Sequence, residues 1–252
     1  MLLSFFGVGS GFTEDHTNAW FRHGEDVVFI DMSMYHVRKA VEIAREAKNC
    51  YMLITHMHDD HVSGLTLFMQ YMYYTMGGKK LNIVIPYELY HDILDEMRMK
   101  DILPGMYDIT ILTSIHNATI IPGNISPSTE KWGCDNKHIM EWFVTAVPTV
   151  HTPGLTGKCF GYGLNVSGKK VLYSGDTCNL SDFISLWVDY DEFYVDCSLH
   201  YGGVHLKWEN CAGILKNSLG TEVYLMHMDD VEGFARQDLG NVKLAYATGC
   251  QE

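Results

Sequence analysis

The first half of the chain alternates between short apolar runs and segments whose apolar residues recur at helical spacing. Residues 2–8 and 26–32 are apolar, β-branched or aromatic and are bounded by glycine or charged residues, which is typical of buried strands. Residues 36–47 carry apolar residues at helical spacing, and residues 51–55 return to a short strand. The pattern then predicts, in order, a helix at 62–76, a strand at 81–86, a helix at 87–99 and a hairpin at 108–122.

A similar pattern begins again near residue 141. It predicts strands at 142–150, 159–166 and 170–173, followed by a helix, a strand, a helix and a last strand that ends at His227. No sequence repeat, low-complexity tract or linker separates the two similar halves. We therefore expect residues 1–252 to form one α/β domain, with two sheets packed face to face and helices outside. Residues 116–138, rich in Asn, Pro, Gly and Ser, predict a long surface loop.

Composition and charge narrow the classes of partner. The chain has 252 residues, is 47% apolar and carries a formal charge of −13, with no more than two adjacent basic residues anywhere. Long nucleic acid is an unlikely partner because such binding depends on clustered Lys and Arg, so an anionic ligand should be small. No apolar run is long enough to cross a bilayer. The amino-terminal segment lacks the basic flank of a signal peptide, so we expect a cytoplasmic protein. The seven scattered cysteines predict reduced thiols rather than a disulfide framework.

The segment THMHDDHVSG, residues 55–64, concentrates metal ligands at the end of a predicted strand. His56 and His58 lie two apart, so in an extended segment they project to the same side and can share one ion. Asp60 and His61 follow at once, and a tight turn can direct both towards a second ion. Histidines clustered on a solvated loop are the alternative, but such ordered spacing favours a metal site.

The motif HMHDDH resembles the HxHxDH signature of the metallo-β-lactamase superfamily at His56, His58, Asp60 and His61. The resemblance implies an αββα sandwich with a dinuclear metal site at one edge of the sheets. Because position 58 is His rather than Glu, the site resembles hydrolytic, dizinc members more than the di-iron, oxygen-reducing branch. We therefore expect two zinc ions per chain, with manganese or iron as alternatives.

The same resemblance implies three further ligands. His151, in TVHTPG, would complete the first ion's ligands, Asp176, in VLYSGDT, would bridge the two ions, and His227, after EVYLM, would be the last ligand. Without the resemblance, His151 would be a structural histidine, Asp176 a turn aspartate and His227 a core histidine.

Within the superfamily, three segments resemble the RNase Z-like phosphodiesterases: FFGVGSGFTEDHTNAWF, CFGYGLNVSGKKVLYSGDT and GGVHLKWEN. The last contains His205, which the resemblance makes the second catalytic histidine, near the phosphate. His200 is a rival for this role, and His205 could also be a helix-cap or surface histidine. Asp196 stands where the group has a glutamate that orients the histidine, although it could simply cap the following turn.

The basic, glycine-rich arm with which tRNA-processing members grip tRNA has no counterpart in this sequence. The armless pattern is similar to the anti-Pycsar phosphodiesterases, homodimers that hydrolyse cyclic nucleotides. The resemblance implies that 3′,5′-cyclic nucleotides become 5′-nucleotides, with Asp60 orienting the attacking water and accepting a proton while His205 protonates the departing 3′ oxygen. Tyr107, in LPGMYD, could stack on the base in a partner's site, or be a merely buried or exposed tyrosine.

Three other functions remain open at this point. The first is an RNase Z without the usual arm, and the second is a lactone or thioester hydrolase that uses the same metals. The third is a non-catalytic protein that binds or sequesters a nucleotide, although a full set of seven ligands speaks against binding alone. If the chain is phage-encoded, its compartment would be the host cytoplasm.

Overall fold

Two β-sheets form the centre of the computed structural model, which describes residues 1–115 and 131–248. The first sheet has seven strands whose spatial order follows the chain: β1 (Ser4–Gly7), β2 (Asn18–His23), β3 (Asp26–Ile30), β4 (Cys50–Leu53), β5 (Leu81–Pro86), β6 (Tyr107–Ile115) and β7 (Lys131–Gly133). The second sheet has six strands: β8 (Phe143–Pro148), β9 (Phe160–Val166), β10 (Lys169–Tyr173), β11 (Glu192–Asp196), β12 (Glu222–Met226) and β13 (Lys243–Leu244).

The described residues form seven α-helices besides these strands: α1 (Val37–Glu46), α2 (Asp59–Val62), α3 (Leu65–Thr75), α4 (Tyr90–Met99), α5 (Ile139–Trp142), α6 (Trp208–Leu215) and α7 (Val231–Ala235). Helix α1 shows how the spacing of apolar residues favours a helix. Its buried residues Val37, Ala40, Val41 and Ala44 recur at helical spacing, so one apolar stripe faces the core while the charged residues face solvent. No helix within the described ranges is long and apolar enough to cross a membrane.

Neighbouring residues of β1 show that the sheets pack face to face with helices outside. Phe5 points towards the second sheet, where its ring centroid lies 5.3 Å from that of Tyr194. Phe6 points to the opposite face and packs on Phe29, which in turn meets Phe68 of α3 with 5.2 Å between ring centroids. Successive side chains of a strand alternate between faces, so the first sheet lies between the second sheet and α3. One continuous apolar cluster includes all five residues.

The parallel strands determine where the polar residues gather. Strands β3 to β6 run parallel to one another, as do β10 to β13. Carboxyl ends of parallel strands meet at one edge of a sheet, which is where open α/β sheets place their ligands. The residues found at or just after these ends are Asp31, Thr55, His56, Asp176, Asp196 and His227.

Several expected elements differ from the structure. The helix expected at 62–76 begins only at Leu65, as α3, because Val62 ends α2; a Cβ atom on the intervening Gly64 would lie 2.6 Å from the carbonyl oxygen of Ser33. The prediction of a helix between β10 and β11 is wrong, because two 3₁₀ turns lie there. In the first of them, Asn179 Oδ1 accepts a 3.2 Å hydrogen bond from the Ser181 amide. Such a side-chain bond to the backbone stabilises a turn in place of a longer helix.

The structure also differs from the hairpin and the loop that the sequence predicts. Strand β6 pairs in parallel with β5 and antiparallel with β7, so the return strand is Lys131–Gly133, inside the expected loop. Residues 116–130, which include the second half of the expected hairpin and most of the expected loop, lie outside the described residues. Strand β2 had no counterpart among the expected elements. The six cysteines within the described residues are free thiols, as expected.

Candidate metal centre

Three histidines and one aspartate form the first ligand group. His58 Nδ1 lies 3.0 Å from His56 Nε2 and 3.1 Å from His151 Nε2. Asp176 Oδ2 lies 3.8 Å from His56 Nε2 and 3.6 Å from His151 Nε2. A tetrahedral zinc ion with ligands at about 2.0–2.1 Å spaces its ligand atoms roughly 3.3 Å apart. The four atoms therefore match the spacing that one such ion requires, with His58 contributing Nδ1 and the other two histidines Nε2.

A second group stands beside the first and shares Asp176 with it. Asp60 Oδ2 lies 3.2 Å from His61 Nε2 and 3.1 Å from His227 Nε2. Asp176 Oδ1 lies 3.4 Å from His61 Nε2, and its Oδ2 lies 3.5 Å from His227 Nε2. Among the described residues, the buried His61 Nε2 has no hydrogen-bond partner of good geometry. An imidazole-rich donor set with one common carboxylate thus fits two neighbouring divalent ions.

A buried aspartate orients His61. Asp31 Oδ2 lies 2.8 Å from His61 Nδ1, and Asp31 accepts hydrogen bonds of 2.8 and 2.7 Å from the amide and hydroxyl of Thr55. A proton on His61 Nδ1 leaves the lone pair of Nε2 directed at the second ligand group. Carboxylates of this kind fix the ring orientation and raise the basicity of metal-binding histidines.

The backbone orients His151 in the same way. Its Nδ1 donates a 2.7 Å hydrogen bond to the Val204 carbonyl oxygen, which leaves Nε2 to face His58 and Asp176. Val204 precedes His205, so this bond also joins the loop before α6 to the first ligand group.

The carboxylates make this centre a site for positive charge. Although burial opposes the charged form, His227 and His61 hold the pKa of Asp176 well below its usual range, and His61 and His227 do the same for Asp60. Burial lowers the pKa of His227, but Asp176 and other nearby carboxylates outweigh it and raise that pKa to about 10. Buried carboxylates that remain ionised need cationic partners, and divalent ions are such partners.

A second histidine that is oriented by a buried carboxylate adjoins the centre. His205 Nδ1 lies 2.8 Å from Oδ2 of the fully buried Asp196, which also accepts a 3.0 Å hydrogen bond from the Thr177 amide. His205 Nδ1 is 3.9 Å from Asp176 Oδ2. Burial lowers the pKa of His205, but the charge and hydrogen bond of Asp196 outweigh it, and the net effect is a raised pKa. His205 lies three residues before the first residue of α6 rather than within the helix.

The other two residues considered from the sequence lie away from this pair. The side chain of His200 is 61% exposed and its Nε2 lies 3.6 Å from Asp230 Oδ2, so it turns towards a different carboxylate. Tyr107 is half-buried at the first position of β6 and pairs with Leu81, the first residue of β5. It therefore lies at the amino ends of the parallel strands, opposite the metal centre of its own chain. Its action in a partner's site stays a prediction.

Some residues of the site were missed from the sequence. Asp31 and Thr55 each follow a buried strand, which was the available signal for them. Phe12 and Tyr201 gave no comparable signal: they are 89% and 53% exposed, with 6.0 Å between their ring centroids. The loop carrying Phe12 lies against the site, because a Cβ atom on Gly11 would be 2.8 Å from Asp60 Oδ2. Phe12 therefore follows directly after a residue that lies against Asp60, and Tyr201 lies beside Phe12.

Comparison with known proteins gives a family match over nearly the whole chain. The family model described as "Anti-Pycsar protein Apyc1" matches residues 1–248. A curated protein of that name from Bacillus phage 010DV004 is 28% identical over 193 residues, which cover 72% of this chain and 70% of the phage protein.

Solved structures resemble the chain in fold. The metallo-β-lactamase fold protein YhfI of Bacillus subtilis aligns with a TM-score of 0.68 and 17% identity, over 97% of this chain and 96% of YhfI. The short form of human tRNase Z aligns with a TM-score of 0.65 and 17% identity, over 97% and 96% of the two chains. At such identities the likeness is one of fold, and it confirms the expected metallo-β-lactamase fold.

Proposed function

The chain belongs to the anti-Pycsar Apyc1 family, and from this premise we propose that it is a dinuclear-metal phosphodiesterase that converts 3′,5′-cyclic nucleotides to 5′-nucleotides. Metal-dependent hydrolysis is the general activity that the family and the His/Asp clusters support. One observation carries the more specific proposal. The buried His205–Asp196 pair stands beside Asp176, the carboxylate common to both ligand groups. In this arrangement His205 would be a proton donor next to a site suited to a phosphoryl group.

We assign seven residues to the two ions. His56, His58 and His151 would hold one ion, Asp60, His61 and His227 the other, and Asp176 both. Two bound divalent ions stabilise the charge that develops on phosphoryl oxygens and lower the pKa of a water nucleophile. Zinc is the ion we propose, because imidazole-rich ligation favours it, with manganese as the alternative.

Asp60 and His205 would have separate roles in proton transfer, Asp60 at the attacking water and His205 at the leaving oxygen. Asp60, beside both His61 and His227, would orient the attacking water and accept a proton from it. His205 Nδ1 donates to Asp196, which leaves Nε2 for the second proton of the imidazolium. Its raised pKa favours that protonated form, from which Nε2 would protonate the departing 3′ oxygen.

A nucleotide substrate fits the surroundings of the site. Phe12 and Tyr201 are exposed aromatic residues on loops near Asp60, and base–aromatic stacking contributes about 1–3 kcal/mol per base. The formal charge of −13 disfavours a long polyanion but not a compact phosphodiester that meets metal ions. A small cyclic nucleotide is therefore favoured over a precursor tRNA.

The proposal extends to assembly and location. We infer that residues 1–252 act as one domain, because a single apolar cluster joins both sheets. We also propose that the enzyme is a homodimer acting in the cytoplasm, the host's cytoplasm if the chain is phage-encoded.

Turnover of a substrate panel tests the proposal. The metal-supplemented protein is offered 3′,5′-cyclic mononucleotides, cyclic dinucleotides, a precursor tRNA, a lactone and a thioester. We expect turnover of cyclic nucleotides, with Asp176→Ala as the inactive control. Cleavage of the precursor tRNA, lactone or thioester instead would favour that rival function. Stoichiometric nucleotide binding without turnover would favour a sequestering protein.

A further inference from the structure

A second cluster of metal-binding side chains lies at the end of β3 opposite the metal centre. Asp26 begins β3, whose other end leads to Asp31, and His23 ends β2 just before the turn into β3. His138 precedes α5, and Glu141 lies in that helix. The cluster therefore joins the β2–β3 turn to the start of α5, and it shares no residue with the metal centre.

The ligand atoms of three of these side chains converge. Glu141 Oε2 lies 3.1 Å from His23 Nε2 and 3.2 Å from His138 Nδ1. One ligand atom from each residue lies within 4.8 Å of the others. Roughly 3.3 Å is the spacing that a tetrahedral zinc ion with ligands at about 2.0–2.1 Å requires.

A buried carboxylate orients His138, as Asp31 orients His61 in the metal centre. Asp26 Oδ2 lies 2.6 Å from His138 Nε2. Asp26 is 4% exposed, and its Oδ1 accepts hydrogen bonds of 2.9 Å from both the amide and the side-chain nitrogen of Asn49. A proton on Nε2 leaves the lone pair of His138 Nδ1 directed at Glu141. This support distinguishes the cluster from a chance surface ion pair.

We propose that His23, His138 and Glu141 bind a third divalent transition-metal ion, zinc being the ion that two imidazoles and a carboxylate suit best. A cavity of about 430 Å³ adjoins these side chains, so a fourth ligand position is open to water or a small anion. The side chains of His23, His138 and Glu141 are 27%, 41% and 58% exposed. Because the site is exposed and has three protein ligands, it binds zinc more weakly than the buried centre does.

Binding there would stabilise the fold locally. The ion would join the β2–β3 turn to α5, whose buried Trp142 packs on Phe21 and Tyr51 at ring-centroid distances of 6.1 and 5.6 Å. An ion that binds only the folded state raises the melting temperature.

The test is a zinc titration of protein whose buried centre is already loaded, followed by calorimetry and native mass spectrometry. Wild type should bind one further zinc ion, with a rise in melting temperature. His138→Gln and Glu141→Gln should each weaken that binding by about 10-fold or more, and Asp26→Asn by about 10–100-fold, as expected for a residue that orients a ligand. His91→Gln, at an exposed histidine outside the cluster, is the matched control and should bind as wild type does.

The two metal sites can be judged separately. His58→Ala should retain the additional zinc ion while losing metal at the buried centre, so failure of one assignment leaves the other intact. All cluster variants should retain wild-type turnover. The proposal is overturned if wild type binds no further ion, or if His138→Gln and Glu141→Gln bind it as tightly as wild type does.

Discussion

His205 donates a hydrogen bond to Asp196 across 2.8 Å, and Asp196 is fully buried. The other carboxylate oxygen of Asp196 lies 3.5 Å from Nδ1 of His227. One carboxylate therefore contacts both the proposed proton donor and a proposed metal ligand. Its loss should affect proton transfer first and metal binding to a smaller degree, because the contact with His205 is the shorter of the two.

Loss of the proposed ligand that both ions share should lower the bound metal content more than loss of a ligand to one ion. Purified wild type should hold close to two transition-metal ions per chain after dialysis that empties the exposed third site. His58→Ala removes a ligand of one group, whereas Asp176→Ala removes the carboxylate common to both groups. We expect His58→Ala to lose most of its metal and Asp176→Ala to lose at least as much, as measured by elemental analysis. Active wild type without metal would contradict the assignment.

His205 separates chemistry from metal binding. His205→Ala should keep both ions and the dimer while turnover of a cyclic nucleotide falls by about 100-fold or more, the range for loss of a general acid. Substrate affinity should change much less. Loss of metal in this variant would make His205 a ligand and would mean that His227 or His151 is misassigned. Full activity would transfer the role to His200 or to water.

Asp196→Asn should lower activity in the same direction but by less, because the imidazole remains. Asp196 raises the pKa of His205, so its replacement lowers that pKa. An acid is active below its pKa, and activity falls as pH rises through it. The alkaline limb of the pH–rate profile should therefore move to lower pH in the variant. The losses of activity in His205→Ala and Asp196→Asn should not add in the double variant. Strictly additive losses would mean that the two residues act in separate steps.

Asp31→Asn tests the orientation of His61. The substitution keeps the size of the side chain but removes the carboxylate that fixes the proton of His61 on Nδ1. Metal affinity should fall by about 10–100-fold, the usual cost of losing such a partner. Competition with a metal-binding dye gives the affinity, and Asp238→Asn, at a carboxylate on the surface, is the control. Unchanged affinity in Asp31→Asn would mean that this hydrogen bond is only structural.

Phe12 and Tyr107 test which aromatic residue meets the base. Phe12→Ala should raise KM by about 5–100-fold with little change in kcat, since stacking contributes about 1–3 kcal/mol.

If Tyr107 acts across a dimer, Tyr107→Ala should behave similarly, and mixing it with His58→Ala chains should restore some activity through one intact site per mixed dimer. Light scattering should show a dimer, and an active monomer at micromolar concentration would refute shared sites.

The sequence was most informative where a residue's role depends on its place after a strand. The HMHDDH motif, the SGDT segment and the histidine after EVYLM were all located from the sequence, and the structure brings their side chains together. Asp31 was missed because a single aspartate after a strand does not reveal that it faces a histidine thirty positions later. Phe12 and Tyr201 were missed because their contact joins two irregular loops, for which periodicity gives no signal. The pairing of β6 with β7 escaped prediction because the hairpin expected at 108–122 put the return strand earlier in the sequence than Lys131–Gly133.

Hydrolysis of a 3′,5′-cyclic nucleotide in ¹⁸O-labelled water, with the product identified by mass spectrometry, tests the proposed phosphodiesterase activity. Metal-loaded wild type should release the 5′-nucleotide with one labelled oxygen in its phosphate, and Asp176→Ala should release none. The account would be contradicted if protein that holds both ions left every cyclic nucleotide intact, or if it released the 3′-nucleotide instead.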